Sequence, residues 1–102
     1  MTQASILVVE DENIVNLSLC AILELQGYRV AGSAATGEDA LRKVEQARPD
    51  LVLMDIHLAG RLDGAEAARL IRQRFNVPVV FLTAYSDSET LQRARQAEPF
   101  GF

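Results

Sequence analysis

The sequence predicts an α/β domain built on a parallel sheet. Short segments that are apolar throughout alternate along the chain with segments whose apolar residues recur at helical spacing. Strands without polar alternation are typical of a parallel sheet that helices cover on both faces. With 102 residues, of which 49% are hydrophobic and 24% charged, the chain is expected to form one domain, residues 1–102, around a single core.

Composition and charge exclude several classes of protein. The net charge of −4 argues against a non-specific nucleic-acid surface, which would need clustered Lys and Arg, so we expect no direct nucleic-acid contact. No apolar run approaches the length of a membrane span, and no segment resembles a secretory leader. The single cysteine, Cys20, falls among apolar residues and is expected to be a small core residue in a reducing cytoplasm.

The first strand is predicted at Ser5–Val9, where nearly every residue is β-branched or aliphatic. A helix follows, because apolar residues recur at three- and four-residue spacing from Ile14 to Leu25. Gly27 is predicted to close this helix in a left-handed conformation. A short second strand with weaker alternation is expected at Tyr28–Ser33.

The second helix is predicted to begin after Thr36, its N-cap, and to end before Pro49. The central strand, Leu51–Asp55, has four apolar residues in a row and then a single carboxylate at its C-terminal end. After a loop, the capping box Asp63–Glu66 is expected to start the third helix.

The last third of the sequence continues the alternation. Pro78–Leu82 is predicted as the fourth strand. A second capping box, Ser86–Glu89, is expected to begin a fourth helix that runs from Leu91 to about Ala97. The residues from Pro99 onward are predicted to form a turn and the start of a fifth strand.

Polar residues follow three of the predicted strands. Glu10 and Asp11 end the first strand, Asp55 ends the third and Thr83 the fourth, so neighbouring strands would bring three carboxylates to one edge of the sheet. Their repulsion and burial would raise their pKa values unless a cation compensates, and a hard cation such as Mg²⁺ suits oxygen ligands. The alternative is that the acids after strand one only favour the positive N-terminus of the helix. No glycine-rich phosphate loop follows strand one, which disfavours a nucleotide-binding domain.

Together these residues closely resemble the receiver domain of two-component response regulators. The matching stretches run in the family's order and spacing and extend over the whole chain: Ile6–Asp11, Pro49–Ile56, Asp63–Gly64 and Pro78–Ala84. The resemblance implies a flavodoxin-like, doubly wound parallel sheet with strand order 2-1-3-4(-5). It also implies a Mg²⁺ cofactor.

The resemblance implies a role for each matching residue of the acidic site. Asp55 corresponds to the phospho-accepting aspartate, a carboxylate nucleophile that forms an acyl phosphate. Asp11 corresponds to a direct metal ligand, and Glu10 to the acid that holds the ion through water. His57 occupies the position whose backbone carbonyl completes the metal site, with no role implied for its imidazole.

The resemblance also implies a set of residues that respond to phosphorylation. Thr83 corresponds to the switch hydroxyl that bonds the phosphoryl oxygens, and Ala84 to its small neighbour that leaves room for the phosphate. Phe102 falls where the family carries its rotamer-switching aromatic. The implied function is Mg²⁺-dependent phosphoryl transfer from a sensor histidine kinase or phosphotransfer protein to Asp55, which switches the face formed by helix four and strand five.

Such a domain is a phosphoacceptor and not a turnover enzyme. Two alternatives come from other classes of protein. One is a phospho-independent interaction module that keeps the fold for docking. The other is a metal-dependent phosphohydrolase with Asp55 as nucleophile, which is disfavoured because that class usually carries an acid where this chain has His57.

One departure from the family pattern concerns the C-terminal end. The family carries a lysine after strand five and then a fifth helix, whereas the only lysine here is Lys43, on helix two, and the sequence stops at Phe102. We therefore expect a fragment of a longer protein; the alternative is a receiver that has lost its lysine. Without those elements the chain would expose the edge of strand four and an apolar face of helix one. That exposure predicts a homodimer or an exchange of C-terminal segments.

Overall fold

The computed structural model describes residues 3–56, 58 and 62–82. Strands and helices alternate within this part of the chain, in the order β1 (Ser5–Val9), α1 (Asn13–Leu25), β2 (Arg29–Ala34), α2 (Gly37–Ala47), β3 (Leu51–Asp55), α3 (Gly64–Phe75) and β4 (Val79–Leu82). Each predicted element within the described residues is present, with ends that differ from the prediction by a residue or so.

The four strands form one parallel sheet in the order β2-β1-β3-β4. This confirms the predicted flavodoxin-like α/β fold and its strand order. In the central pair, Val9 of β1 lies opposite Met54 of β3. The two strands therefore end side by side, and the residues that follow them emerge at the same edge of the sheet.

The main core lies between the sheet and helices α2 and α3. Val52 and Met54 of β3 are fully buried in it, whereas Leu51 and Leu53, on the opposite face, are only partly buried. The other buried apolar residues of this cluster come from all four strands and both helices: Leu7, Val9, Ala34, Ala40, Val44, Ile56, Ala67, Ala68, Ile71, Val77, Val79 and Phe81. The opposite face of the sheet is covered by α1 over β1 and β2 only, as far as the described residues extend.

Side-chain caps fix the starts of α2 and α3 where the sequence predicts them. The Oγ1 atom of Thr36 accepts a hydrogen bond of 3.1 Å from the Asp39 N–H. Oδ1 of Asp63 accepts one of 2.9 Å from the Glu66 N–H. Such caps satisfy amide groups that have no partner within the helix. Gly27 has a φ of 93°, as its predicted role after α1 requires.

Helix α1 differs from the prediction in the face that it presents to the sheet. Its half-buried residues are Asn16, Leu19, Cys20 and Leu23, and none of its residues is fully buried. The apolar residues that begin and end the predicted stripe point away: Ile14 is 81% exposed and Leu25 is 85% exposed. The helix is apolar on nearly every side, so spacing alone does not identify its inner face. The expected exposure of an apolar face on helix one is therefore observed.

Several predicted features lie outside the described residues. They are His57, Thr83, Ala84, the second capping box, helix four and the start of strand five with Phe102. None of the helices in the described part of the chain has the length and apolar character needed to cross a bilayer.

Candidate functional site

The candidate site lies at the carboxyl edge of the two central strands. Glu10 and Asp11 follow β1 directly, and Asp55 is the last residue of β3. The peptide N–H of Glu10 donates a hydrogen bond of 2.9 Å to the carbonyl of Ala34, so the chain keeps its pairing with β2 for one residue beyond β1. Because β1 and β3 end side by side, the two acids emerge next to the end of β3.

The three carboxylates form one cluster. One oxygen from each of Glu10, Asp11 and Asp55 lies within 4.8 Å of the others. Glu10 is buried, with 7% of its surface exposed, Asp55 is half-buried, and Asp11 is exposed. The predicted convergence at a common sheet edge is therefore present, with one side open to solvent at Asp11.

Crowding in this cluster changes the acidity of Glu10. Burial, followed by a side-chain hydrogen bond to Asp55 and repulsion by the Asp55 charge, raises the pKa of Glu10 to about 8. The Asp11 N–H donates a hydrogen bond of 3.0 Å to Oε2 of Glu10, which opposes the increase only in part. Burial and the neighbouring Asp55 thus favour the protonated form of Glu10.

The side chain of Asn16 is hydrogen-bonded to the backbone at Glu10, a contact that the sequence did not predict. Its Nδ2 atom donates hydrogen bonds to the carbonyl of Glu10, at 3.1 Å, and to that of Ala34, at 3.4 Å. The side chain thus ties α1 to the ends of β1 and β2. The available signal was a polar residue, Asn16, at a position of α1 flanked by the apolar residues Val15 and Leu17.

Gly64 holds the connection between β3 and α3 close to Asp55. The Gly64 N–H donates a hydrogen bond of 3.0 Å to the carbonyl of Ile56. A Cβ atom at this position would lie 2.5 Å from the Ile56 carbonyl oxygen and closer still to that of Asp55. Only glycine allows this approach, so the residue fixes the backbone on which the Asp55 carboxylate sits.

The cluster has the chemistry of a site for a hard divalent cation. Three carboxylates supply oxygen ligands, and a cation would offset the burial and the repulsion by Asp55 that raise the pKa of Glu10. The exposed side at Asp11 leaves room for water or a phosphate group.

Comparison with known proteins identifies the family. The family model described as "Response regulator receiver domain" matches residues 6–102. Transcriptional regulatory protein PdtaR of Mycobacterium tuberculosis is 38% identical over 92 residues, which are 90% of this chain and 44% of that protein. Transcriptional regulatory protein AfsQ1 of Streptomyces coelicolor is 42% identical over 83 residues, or 81% of this chain and 36% of that protein. The chain thus spans less than half the length of these curated relatives.

A solved structure agrees with the sequence comparison. The signal receiver domain of a modulated diguanylate cyclase from Desulfovibrio desulfuricans G20 superposes with a TM-score of 0.92 at 41% identity. The match covers 98% of this chain and 79% of that one. With its sheet order and the acids at the sheet edge, the chain belongs to the family of response regulator receiver domains.

Proposed function

We propose that this domain is a phospho-accepting switch in which Asp55 receives a phosphoryl group from the phosphohistidine of a sensor histidine kinase or a phosphotransfer protein. The observation that supports the proposal most directly is the gathering of Glu10, Asp11 and Asp55 within 4.8 Å at the open end of the sheet. Family membership supports this class of reaction, and the geometry supports these candidate residues. The domain takes part in its own phosphorylation and is proposed to be an acceptor, not a turnover enzyme.

In the proposed transfer, an oxygen of Asp55 attacks the phosphorus atom. The bond from phosphorus to the donor's imidazole nitrogen breaks, the nitrogen keeps the electron pair, and an acyl phosphate forms on Asp55. The half-buried position of Asp55, at the end of a rigid strand, fixes the nucleophile against the exposed side of the cluster. Mg²⁺, held by Asp11 and Asp55 and supported by Glu10, would neutralise charge on the phosphoryl oxygens.

The proposed response continues into residues beyond β4. The hydroxyl of Thr83 would bond the new phosphoryl oxygens, with Ala84 leaving room for them and Phe102 filling the space that Thr83 vacates. The backbone carbonyl of His57 would complete the metal site. We place this reaction in the cytoplasm, where the donor would be phosphorylated, and assign no nucleic-acid contact to this domain.

Incubation with Mg²⁺ and a small acyl-phosphate or phosphoramidate donor, followed by intact mass measurement, tests the proposal. The expected result is a mass increase of one phosphoryl group that needs Mg²⁺ and is lost in Asp55→Asn. Glu45→Gln provides a control, because it removes the same charge from an exposed position on α2. This variant should be phosphorylated as the unaltered chain is.

Three outcomes would contradict the proposal. A chain that binds Mg²⁺ and remains unphosphorylated would instead support a docking module. Continuous consumption of the donor, without accumulation of an adduct, would support a phosphohydrolase. Phosphorylation that persists in Asp55→Asn would place the acceptor elsewhere.

A further inference from the structure

The peptide group between Glu10 and Asp11 is held at both of its polar atoms. Its carbonyl oxygen, which belongs to Glu10, accepts a hydrogen bond of 3.1 Å from Nδ2 of Asn16. Its N–H, which belongs to Asp11, donates one of 3.0 Å to Oε2 of Glu10. Because a peptide group is planar, the bond to the carbonyl also fixes the direction of the N–H on the other side. Asn16 therefore helps to set the geometry in which the Glu10 carboxylate receives the Asp11 N–H.

The amide group of Asn16 has a second anchor on the neighbouring strand. Nδ2 also donates to the carbonyl of Ala34, at 3.4 Å. The same carbonyl accepts a hydrogen bond of 2.9 Å from the N–H of Glu10. The backbone of Glu10 is thus held at its N–H by Ala34 and at its carbonyl by Asn16, and Asn16 in turn is bonded to Ala34. A change in either backbone dihedral of Glu10 would break one of these bonds.

The chemistry of the Asn16 side chain matches these partners. Two carbonyl oxygens are acceptors, and the NH₂ end of a side-chain amide offers two donor hydrogens. The oxygen end, Oδ1, accepts a hydrogen bond of 3.5 Å from the Sγ atom of Cys20, one turn later in α1. Asn16 is half-buried, whereas Asn13, one turn earlier, is exposed. Both ends of the Asn16 amide are therefore used, and the donor end is directed at the strand ends.

The peptide that Asn16 holds carries two of the three acids of the cluster. Oxygen atoms of Glu10, Asp11 and Asp55 lie within 4.8 Å of one another. Glu10 is buried, so packing restricts its side chain, but Asp11 is exposed. The position from which the Asp11 side chain starts is therefore set mainly by the backbone between it and Glu10. A shift of that peptide would change the distances between all three carboxylates.

We infer that Asn16 is a positioning residue for the acidic site, which holds the peptide between Glu10 and Asp11 in the geometry that a cation needs. The consequence for Mg²⁺ binding rests on the proposed function. Ligands that are already held in place cost less free energy to order when the ion binds than ligands that must first be fixed. Loss of the Asn16 hydrogen bonds should therefore weaken Mg²⁺ binding, although every carboxylate of the cluster remains.

Four variants of α1 separate this role from a general loosening of the helix. Asn16→Ala removes both donors, and Asn13→Ala makes the same chemical change at an exposed position as the control. Asn16→Gln keeps the amide on a longer side chain and should recover part of the lost affinity. Leu23→Ala shortens a half-buried side chain farther along the helix and removes neither bond to Glu10 and Ala34.

Two measurements on the folded chain distinguish the variants: a Mg²⁺ titration followed at the Asp55 amide by two-dimensional NMR, and urea unfolding. In Asn16→Ala we expect a Mg²⁺ dissociation constant about two- to tenfold higher, as the net loss of one hydrogen bond predicts. Asn13→Ala should leave it unchanged. Leu23→Ala should lower the free energy of unfolding and leave the dissociation constant unchanged. Asn16→Leu, which has no donor but keeps the volume, takes the place of Asn16→Ala if that variant does not fold.

Three results would overturn the inference. The first is a Mg²⁺ dissociation constant in Asn16→Ala, or in Asn16→Leu in its place, that equals that of the unaltered chain. The second is equal weakening in Leu23→Ala, which would assign the effect to the packing of α1. The third is no recovery in Asn16→Gln, which would exclude the amide donors as the cause. The proposed function fails separately, if the unaltered chain binds Mg²⁺ and remains unphosphorylated. Absence of Mg²⁺ binding by the unaltered chain would contradict both.

Discussion

A carboxylate oxygen of Glu10 lies within 4.8 Å of one from Asp55, where β1 and β3 end side by side. Two carboxyl groups in such contact share a proton more readily than they both ionise. Because Glu10 is also buried, the pKa of Glu10 rises to about 8. The acidic site thus has two forms near neutral pH: one with a protonated Glu10, and one in which Glu10 is charged and a cation is favoured.

This contact predicts that the folded domain loses stability as the pH rises toward 8 in the absence of divalent cations. The pKa of Glu10 is raised from 4.5 in an unperturbed side chain to about 8 in the folded chain, so between these values the folded state holds a proton that the unfolded state has released. The free energy of unfolding should fall by up to about 1.4 kcal/mol per pH unit in this window from this group. Urea unfolding followed by circular dichroism, in EDTA from pH 4 to 9, measures the slope.

Glu10→Gln provides the control for this pH dependence. The amide is neutral at every pH and nearly the same size as the carboxyl group. The free energy of unfolding should therefore fall less steeply between pH 4.5 and pH 8 than in the unaltered chain. Near pH 8 the variant should be the more stable protein. An unchanged slope in Glu10→Gln would assign the titration to another group.

The strands and caps could be predicted from sequence because their signals are local. Four uninterrupted apolar residues before Asp55 indicate a buried strand, and the positions of Thr36 and Asp63 before their helices indicate N-caps. The convergence of Glu10 and Asp11 with Asp55 followed from the rule that parallel strands end at a common edge.

What the sequence could not provide depends on contacts between distant segments. The hydrogen bond from Leu62 to Glu38 and the bracing of Glu10 by Asn16 join residues on different elements, and no spacing rule brings them together. The inner face of α1 was missed for another reason. Because apolar residues such as Leu17 and Leu23 surround the helix, only its packing identifies the side that meets the sheet.

Binding of Mg²⁺ is predicted to stabilise the domain and to release protons. At a Mg²⁺ concentration 100-fold above its dissociation constant, the gain should be about 2.7 kcal/mol if the unfolded chain does not bind the ion. The affinity should increase as the pH rises toward 8, because the proton on Glu10 competes with the cation. Thermal unfolding with Mg²⁺ or EDTA, and calorimetry in two buffers, measure these effects.

Asp11→Asn should lose most of this stabilisation, because the variant lacks one of the clustered carboxylates. Glu45→Gln removes a charge from an exposed part of α2 and should keep the stabilisation. Equal responses to Mg²⁺ in Asp11→Asn and the unaltered chain would argue that the ion binds elsewhere.

Gly64→Ala is predicted to disturb both folding and the acidic site. Its Cβ would lie 2.5 Å from the Ile56 carbonyl oxygen and closer still to that of Asp55, and backbone atoms cannot move aside as a flexible side chain can. We expect a destabilisation of about 1–3 kcal/mol, as overpacking typically causes, together with weaker Mg²⁺ binding. Gly27→Ala is a suitable comparison, since φ is 93° there but no atom lies within 4 Å of the added Cβ.

The comparison separates general strain from a local effect. Gly27→Ala should also destabilise the fold, by about 1–2 kcal/mol, because left-handed backbone disfavours a side chain. Gly27 lies between α1 and the start of β2, whereas Asp55 lies at the carboxyl end of β3, so the two residues are at opposite edges of the sheet. The Mg²⁺ affinity of the folded protein should therefore not change. Equal loss of Mg²⁺ affinity in both variants would contradict a specific role for Gly64.

The outer surface of α1, formed by Ile14, Leu17 and Leu25, is predicted to drive self-association at high protein concentration. These side chains are 81%, 71% and 85% exposed, and apolar side chains exposed along one helix favour contact with another molecule. In Leu17→Gln/Leu25→Gln the mass from light scattering should fall toward that of one chain, with little loss of stability because neither side chain is buried. Ser18→Gln, an exposed polar position on the same helix, should associate as the unaltered chain does. A monomeric mass for the unaltered chain at high concentration, or association that persists in the double variant, would show that this surface does not mediate contact between copies.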